Sequence, residues 1–139
     1  MKICVVDGQG GGIGATIIKR LKETYHEDHE IIALGTNAIA TAQMLKARAN
    51  RGATGENAII QTVTTAEIII GPIAIILANF MMGELTPRMA EAIASAPALK
   101  LLLPLTQERV EIAGLKPEPL PHLVEHIVNI RLKEILQDV

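Results

Sequence analysis

An α/β fold of three layers, with a mostly parallel sheet between two layers of helices, is predicted by three features of the sequence. Apolar runs of strand length alternate with segments of helical periodicity, which is typical of strands joined by crossover helices. Several of these runs are apolar at successive positions, as in strands buried on both faces. A glycine-rich turn lies between the first strand and the first helix, which makes the predicted fold Rossmann-like.

The first half of the chain supplies the regular part of this alternation. Residues 2–7 and 30–35 are short apolar runs that end at glycine, and both predict buried strands. Residues 13–23 predict a helix because isoleucine and leucine recur on one face. A second helix follows residue 35, with Thr36 or Asn37 as its N-cap, and the segment 51–57 predicts a loop.

The middle of the chain predicts two further strands, over residues 58–63 and 67–71. Pro72 is placed to open a helix over 73–82, because the N–H that proline lacks has no partner at that position. This helix is apolar on all sides, so we expect it to be buried within the domain or against a second subunit of a homodimer. Thr86 and Pro87 begin another helix.

The last part of the chain predicts a hairpin and a long helix. Residues 100–105 and 110–115 are two strands separated by only four residues, too few for a crossover, so we expect an antiparallel hairpin at the sheet edge. The segment 119–138 predicts the closing helix. A length of 139 residues fits a single domain over 1–139.

Composition excludes several functional classes. Aromatic residues are 1% of the chain and the net charge is -2, so neither base stacking nor a basic surface for nucleic acid is expected. The single cysteine, Cys4, lies in an apolar strand and argues against disulfides and a thiolate metal site. The apolar stretch 68–82 is shorter than a membrane span, and the N-terminus enters a strand at once, so we expect a cytoplasmic protein without a membrane partner.

The turn between the first strand and the first helix is the strongest functional signal. Five of its residues are glycines, which lets backbone N–H groups approach a phosphate while the helix N-terminus points at the same space. The predicted binding residues of this turn are Gly8, Gln9, Gly10, Gly11, Gly12, Ile13 and Gly14. A tight turn that serves packing only is the alternative.

The spacing Gly8-x-x-x-Gly12-Ile13-Gly14 resembles the cofactor turn of short-chain dehydrogenases and reductases, which bind NAD or NADP. It also resembles the deviant phosphate loop of a large ATPase family, but Ala15 stands where that loop has its lysine. Dehydrogenases of this type carry a Tyr-x-x-x-Lys pair, whereas here Tyr25 is followed by His29. The resemblance therefore implies a nucleotide site without either family's chemistry.

The residues after the second strand bear on the identity of the ligand. An NAD site usually has an acid there for the ribose hydroxyls, but this chain has Gly35, Thr36 and Asn37. Neutral hydrogen-bonding side chains favour NADP slightly, or a plain mononucleotide, as the cofactor. Capping of the second helix is the alternative role for Thr36 and Asn37.

Among the acidic residues, Asp7 and Glu84 border the predicted crevice. Asp7 would repel a phosphate, so we expect it to accept backbone N–H bonds of the turn rather than to hold a metal–phosphate pair. Glu84 with Asp7 is a candidate acid–base pair. The segment HLVEH, 122–126, matches a short zinc-protease pattern, but its histidines point away from the apolar helix face, and no metal site is predicted.

Over its full length the chain resembles a small family of bacterial proteins of about this size and unknown function. The stretches that carry this resemblance are DGQGGGIG, IIALGTNAIATAQMLKA, GATGENAI, IIIGPIAI and PLPHL. The resemblance implies a Rossmann-like fold and no assigned activity.

Three functions remain open at this point. The first is binding of a small phosphate-bearing molecule, a nucleotide or dinucleotide, through the Gly8–Gly14 turn. The second is an enzyme, an NADP-linked reductase or a metal-assisted phosphate-transfer enzyme, that uses Asp7 or Glu84. The third is a structural subunit that binds no ligand.

Overall fold

The computed structural model describes residues 1–105 and 109–137, and it contains one parallel sheet of five strands with helices on both faces. The strands are β1 (Lys2–Asp7), β2 (Glu30–Gly35), β3 (Arg51–Thr54), β4 (Ile68–Pro72) and β5 (Leu99–Leu103). The helices are α1 (Gly12–Tyr25), α2 (Ala38–Lys46), α3 (Glu56–Val63), α4 (Pro87–Ser95), α5 (Leu120–Glu125) and α6 (Leu132–Gln137). A 3₁₀ turn covers Ile73–Ile76, and a π-helical segment, His126–Arg131, joins α5 to α6.

The strand order is β3-β2-β1-β4-β5, with β1 in the centre. Each neighbouring pair is parallel, and Asp7 at the end of β1 lies opposite Gly35 at the end of β2. The order changes direction at β1, because β2 and β3 lie on one side of it and β4 and β5 on the other. Such a switch point opens a crevice at the carboxyl ends of the strands.

Alternate residues of β1 enter two separate core clusters, one on each face of the sheet. Cys4 and Val6 pack with α3 and α4, while Ile3 and Val5 pack with α1 and the C-terminal helical segment. All four of these side chains are fully buried. The predicted three-layer architecture is therefore confirmed.

Two predicted elements around residue 55 are wrong. The segment 58–63 is not a strand, since it lies within α3, where Ile59 and Val63 are buried one helical turn apart. A short apolar run fits either structure, and here its helical spacing decides. The predicted loop 51–57 instead begins with β3, whose exposed residues pair with β2 at the sheet edge.

The predicted helix over 73–82 is also wrong beyond its first turn. Only Ile73–Ile76 is helical, and Asn79, Met81 and Met82 have φ values of 68°, 60° and 56°. Right-handed helix requires negative φ, so these residues form a folded-back loop instead. The apolar helix that suggested a homodimer is absent, and Ile75 is buried inside the chain.

The predicted antiparallel edge hairpin is not present. The strand predicted over 100–105 is confirmed as β5, which is parallel to β4, but residues 110–115 form no strand. Ile112 and Leu115 are 38% and 52% exposed, so this stretch has no apolar face against the sheet. Part of the predicted link, 106–108, lies outside the described residues.

The remaining predicted elements are confirmed within a few residues. The closing helix occupies Leu120–Gln137 with its π-helical segment in the middle. Thr86 caps α4 by accepting the Met89 N–H, and Pro87 is the first residue of that helix. No helix in the described part of the chain is both long enough and apolar enough to cross a membrane.

Candidate functional site

The turn between β1 and α1 is held by the carboxylate of Asp7, which is 3% exposed. Its Oδ1 accepts the Gly8 N–H at 2.8 Å and its Oδ2 accepts the Gly14 N–H at 2.7 Å. One carboxylate therefore ties the entrance of the turn to the first turn of α1, which has no side-chain cap of its own. The predicted tie-down role of Asp7 is confirmed.

Burial raises the pKa of Asp7 above its usual value. The N–H groups of Gly14, Gly8 and Ile13 act in the opposite direction, and the negative charge of Glu84 adds a smaller upward contribution. Both carboxylate oxygens of Asp7 accept backbone hydrogen bonds of the turn, so the side chain stabilises the turn.

Three of the five glycines are required by packing. A Cβ atom at Gly8 would lie 2.5 Å from Met81 Sδ and 2.5 Å from Thr36 Oγ1, and one at Gly14 would lie 2.5 Å from Met44 Sδ. Gly11 has a φ of 76°, and a Cβ there would lie 2.7 Å from the Ala40 carbonyl oxygen. Packing against Met81, Thr36, Met44 and Ala40 therefore accounts for these three glycines without a ligand.

Gly10 and Gly12 differ from the other three. A Cβ atom at either position would meet nothing within 4 Å, and neither residue has a positive φ. Both residues are exposed, and their N–H groups have no hydrogen-bond partner among the described residues. Packing therefore explains neither glycine.

The side chain of Glu84 reaches the turn from the loop that follows β4. Its Oε1 accepts hydrogen bonds from Gln9 N at 2.9 Å, Thr36 Oγ1 at 2.7 Å and Asn37 Nδ2 at 2.8 Å. Asn37 Nδ2 also donates to the Gln9 carbonyl at 3.0 Å. One carboxylate thus joins the turn after β1, the turn after β2 and the loop after β4.

Partial burial raises the pKa of Glu84, but the hydrogen bonds from Thr36, Gln9 and Asn37 together outweigh it, so the pKa is lowered overall. Glu84 is therefore a carboxylate at neutral pH. In this ionised form Glu84 accepts hydrogen bonds, and it cannot act as a general acid because it has no proton to donate.

The loop 77–85 holds Glu84 in place. It folds back on itself through hydrogen bonds from Asn79 N to the Leu85 carbonyl and from Leu85 N to the Phe80 carbonyl. Met81 from this loop packs against Gly8. Glu84 is predicted from the sequence to border the crevice, but no pattern in the sequence indicates that a folded-back loop brings it to Thr36 and Asn37.

The residues after β2 combine two roles. Asn37 is the N-cap of α2, since its Oδ1 accepts the Ala40 N–H at 2.9 Å, while its Nδ2 binds Glu84. Thr36 N–H donates to the Asp7 carbonyl at 3.0 Å, which joins the ends of β1 and β2. Gly35 lies against Thr41 and has no room for a side chain.

The other candidate residues lie away from this edge. Tyr25 OH donates to the Val128 carbonyl at 2.6 Å, within the π-helical segment, and His29 Nδ1 lies 3.1 Å from the N-terminal amine. His122 and His126 are exposed on the last helix. Within the described ranges no group of three or more His, Cys, Asp or Glu could hold a metal ion.

Cys4 is a core residue of β1. Burial raises the pKa of its thiol to about 11, with smaller contributions from Lys2, Glu30 and Arg51. A thiol with this pKa is protonated at neutral pH and unreactive.

Comparison with known proteins gives a family and a fold neighbour. Residues 2–136 match the family described as "Domain of unknown function (DUF3842)", which confirms the resemblance to a family of unknown function. None of the curated proteins matches the sequence.

A solved structure with a similar fold is the dodecameric FMN-dependent UbiX-like decarboxylase from Escherichia coli O157:H7. The TM-score is 0.52 at 16% sequence identity, and the alignment covers 97% of this chain and 94% of that one. At this identity the likeness concerns the α/β fold.

Proposed function

The chain belongs to the DUF3842 family, and we propose that it binds a phosphate-bearing ligand, a nucleotide or dinucleotide, over its glycine turn. The observation that carries the proposal is the open space at Gly10 and Gly12, whose N–H groups have no partner among the described residues. Side chains at these two positions would be tolerated by the fold but would cover the N–H groups that a phosphate needs.

The position of Asp7 indicates on which side of the turn a phosphate would bind. Asp7 already accepts the N–H groups of Gly8 and Gly14 on the buried side of the turn. The ligand would therefore lie on the outer side, over Gly10 and Gly12, at the N-terminal end of α1. The helix dipole favours an anion at that end.

The fold neighbour adds one ligand to those worth testing. Its title describes it as FMN-dependent, and FMN carries a phosphate. We therefore include FMN with NAD, NADP, ATP, GTP and their Mg²⁺ forms in a thermal-shift panel. At about one hundred times its dissociation constant a specific ligand should stabilise the folded state by about 2.7 kcal/mol, which is a shift of several degrees.

The decisive variant is Gly12→Val, with Ala38→Val as its control. Both residues are exposed and begin a helix, α1 and α2 respectively, so each change places an exposed valine at the N-terminus of a helix. Gly12→Val should raise the dissociation constant of the ligand found in the panel about tenfold or more, equivalent to about 1.4 kcal/mol. Ala38→Val should leave this dissociation constant unchanged. Equal binding by Gly12→Val and the wild type would overturn the proposal. A panel without any hit would favour a structural subunit.

We also propose that the protein self-associates, as a homodimer or a larger assembly. Support comes from exposed apolar residues, Ile39 at 67% and Met82 at 92%, and from the neighbour's title, which calls it dodecameric. Size-exclusion chromatography with light scattering tests this, and a monodisperse monomer at micromolar concentration would contradict it.

A further inference from the structure

The carboxylate of Glu84 lies where the ends of β1 and β2 meet. It is hydrogen-bonded to Gln9 in the turn after β1 and to Thr36 and Asn37 directly after β2. In dinucleotide-binding folds of this architecture the ribose hydroxyls are bound by an acidic residue in the segment after the second strand. That segment is neutral here, but Glu84 brings a carboxylate to it from a distant part of the sequence.

Glu84 retains the capacity to bind a ligand. All three of its hydrogen bonds are accepted by Oε1, and Oε2 has no partner among the described residues. The side chain is only partly buried, so Oε2 is not sealed off by the core. An ionised carboxylate oxygen of this kind accepts hydrogen bonds from hydroxyl groups.

The distance from the phosphate site also fits a nucleotide. Glu84 holds the N–H of Gln9, and the next residue, Gly10, has one of the two free N–H groups. Consecutive Cα atoms are about 3.8 Å apart, so a phosphate over Gly10 would lie one residue along the chain from the N–H that Glu84 accepts, and the sugar it carries would be within reach of Glu84.

We propose that Glu84 binds the free hydroxyls of the ligand's ribose and excludes a ribose that carries a 2′-phosphate. The inference rests on the proposed function, since it assumes a nucleotide over the glycine turn. It replaces the slight preference for NADP that the neutral residues after β2 suggest in the sequence.

The charges around Glu84 support this selectivity. Among the described residues no lysine or arginine forms a hydrogen bond or ion pair with Asp7 or Glu84. A 2′-phosphate beside Glu84 would thus meet a carboxylate without a compensating cation. Like charges in contact cost enough to reject a ligand.

The test compares two ligand pairs that differ only in the 2′-phosphate, NAD with NADP and 5′-AMP with adenosine 2′,5′-bisphosphate. Dissociation constants are measured by calorimetry for the wild type, for Glu84→Gln and for Glu91→Gln, an exposed change on α4. The wild type and Glu91→Gln both keep the Glu84 carboxylate, which repels a 2′-phosphate. Each should therefore bind the member of a pair without the 2′-phosphate at least about tenfold more tightly than the member with it. In Glu84→Gln this ratio should fall towards one.

Two results would overturn the inference and leave the proposed function intact. One is equal binding of both members of each pair by the wild type, and the other is an unchanged ratio in Glu84→Gln. If none of the four probes binds, the inference also fails, and the proposed function then depends on whether another ligand of the thermal-shift panel is lost in Gly12→Val.

Discussion

Asp7 and Glu84 are two carboxylates at one turn whose pKa values shift in opposite directions. Burial raises the pKa of Asp7 above 3.8, whereas burial of Glu84 is outweighed by hydrogen bonds that bring its pKa below 4.5. The folded state therefore holds the Asp7 proton to higher pH than the unfolded chain does, and releases the Glu84 proton at lower pH. By linkage, the two residues affect stability with opposite dependence on pH.

The amide variants should reveal this difference. The contribution of Asp7 to the free energy of unfolding falls as pH rises from 3.8 through its folded-state pKa. The free energy of unfolding of Asp7→Asn should therefore rise relative to that of the wild type as pH increases over this range. The contribution of Glu84 is complete above 4.5 and is lost as pH falls through its lower folded-state pKa. Glu84→Gln should therefore cost about 1 kcal/mol at neutral pH and progressively less in acid.

Urea denaturation across this pH range measures both free-energy differences, because groups that titrate alike in variant and wild type cancel in each subtraction. Glu91→Gln serves as the control for removing an exposed carboxylate. Parallel pH profiles for Asp7→Asn and Glu84→Gln would show that the two environments do not differ as described.

How far the site follows from the sequence differs from residue to residue. The tie-down role of Asp7 could be predicted because a carboxylate directly before a glycine turn has local N–H groups to accept. The separation of Gly10 and Gly12 from the other glycines could not, because it depends on Met81, Met44 and Ala40 packing from elsewhere in the chain. Local chemistry was visible in the sequence, and long-range contact was not.

At the scale of elements, the loop 77–85 shows why an apolar segment was mistaken for a helix. The segment predicted as a helix, 73–82, is apolar except for Asn79, which fits a buried helix, but Asn79, Met81, Met82 and Gly83 all have positive φ. Asparagine and glycine adopt this conformation readily, and methionine does not. The two methionines are held there by the folded-back hydrogen bonds of the loop, which no periodicity reveals.

This loop offers a direct test of its backbone conformation. Met82 is 92% exposed with a φ of 56°, so within one chain its side chain contributes little packing, while its Cβ disfavours this backbone conformation. Met82→Gly should stabilise the protein by about 0.5 kcal/mol. This is the free-energy cost of a left-handed backbone for a residue with a Cβ, minus the additional conformational entropy that glycine loses on folding. Met82→Ala, which keeps the Cβ, is the matched control and should bring no such gain in urea denaturation. Destabilisation by glycine and not by alanine would contradict the assigned conformation.

At the scale of the whole molecule, the alternation of strands and helices was sufficient to predict a parallel sheet with helices on both faces. It did not determine that β5 continues this parallel order, because the short distance from β5 to residues 110–115 suggested a hairpin. Exposure of Ile112 and Leu115 shows that apolar residues alone do not make a strand. Whether a segment forms a strand depends on the neighbouring strand with which it pairs, and the sequence of the segment alone does not contain that information.

The two core clusters on opposite faces of the sheet lead to a prediction about cooperativity. Ile17 of α1 and Ile93 of α4 are buried in different clusters, and β1 contributes residues to both. Ile17→Val and Ile93→Val should each cost about 1 kcal/mol through the lost methylene group. Because the two sites share no cluster, the double variant should cost their sum to within about 0.5 kcal/mol.

If residues 1–139 are one domain, both substitutions should shift the same single unfolding transition, since the central sheet couples the two clusters. Circular dichroism and tyrosine fluorescence, which reports on Tyr25 beside the C-terminal helix, should then give coincident urea curves for every variant. Ile59→Val combined with Ile93→Val, both in one cluster, provides the contrasting pair in which additivity is not required. Two separate transitions, each sensitive to only one substitution, would mean that the faces unfold independently and that the chain is not one cooperative domain.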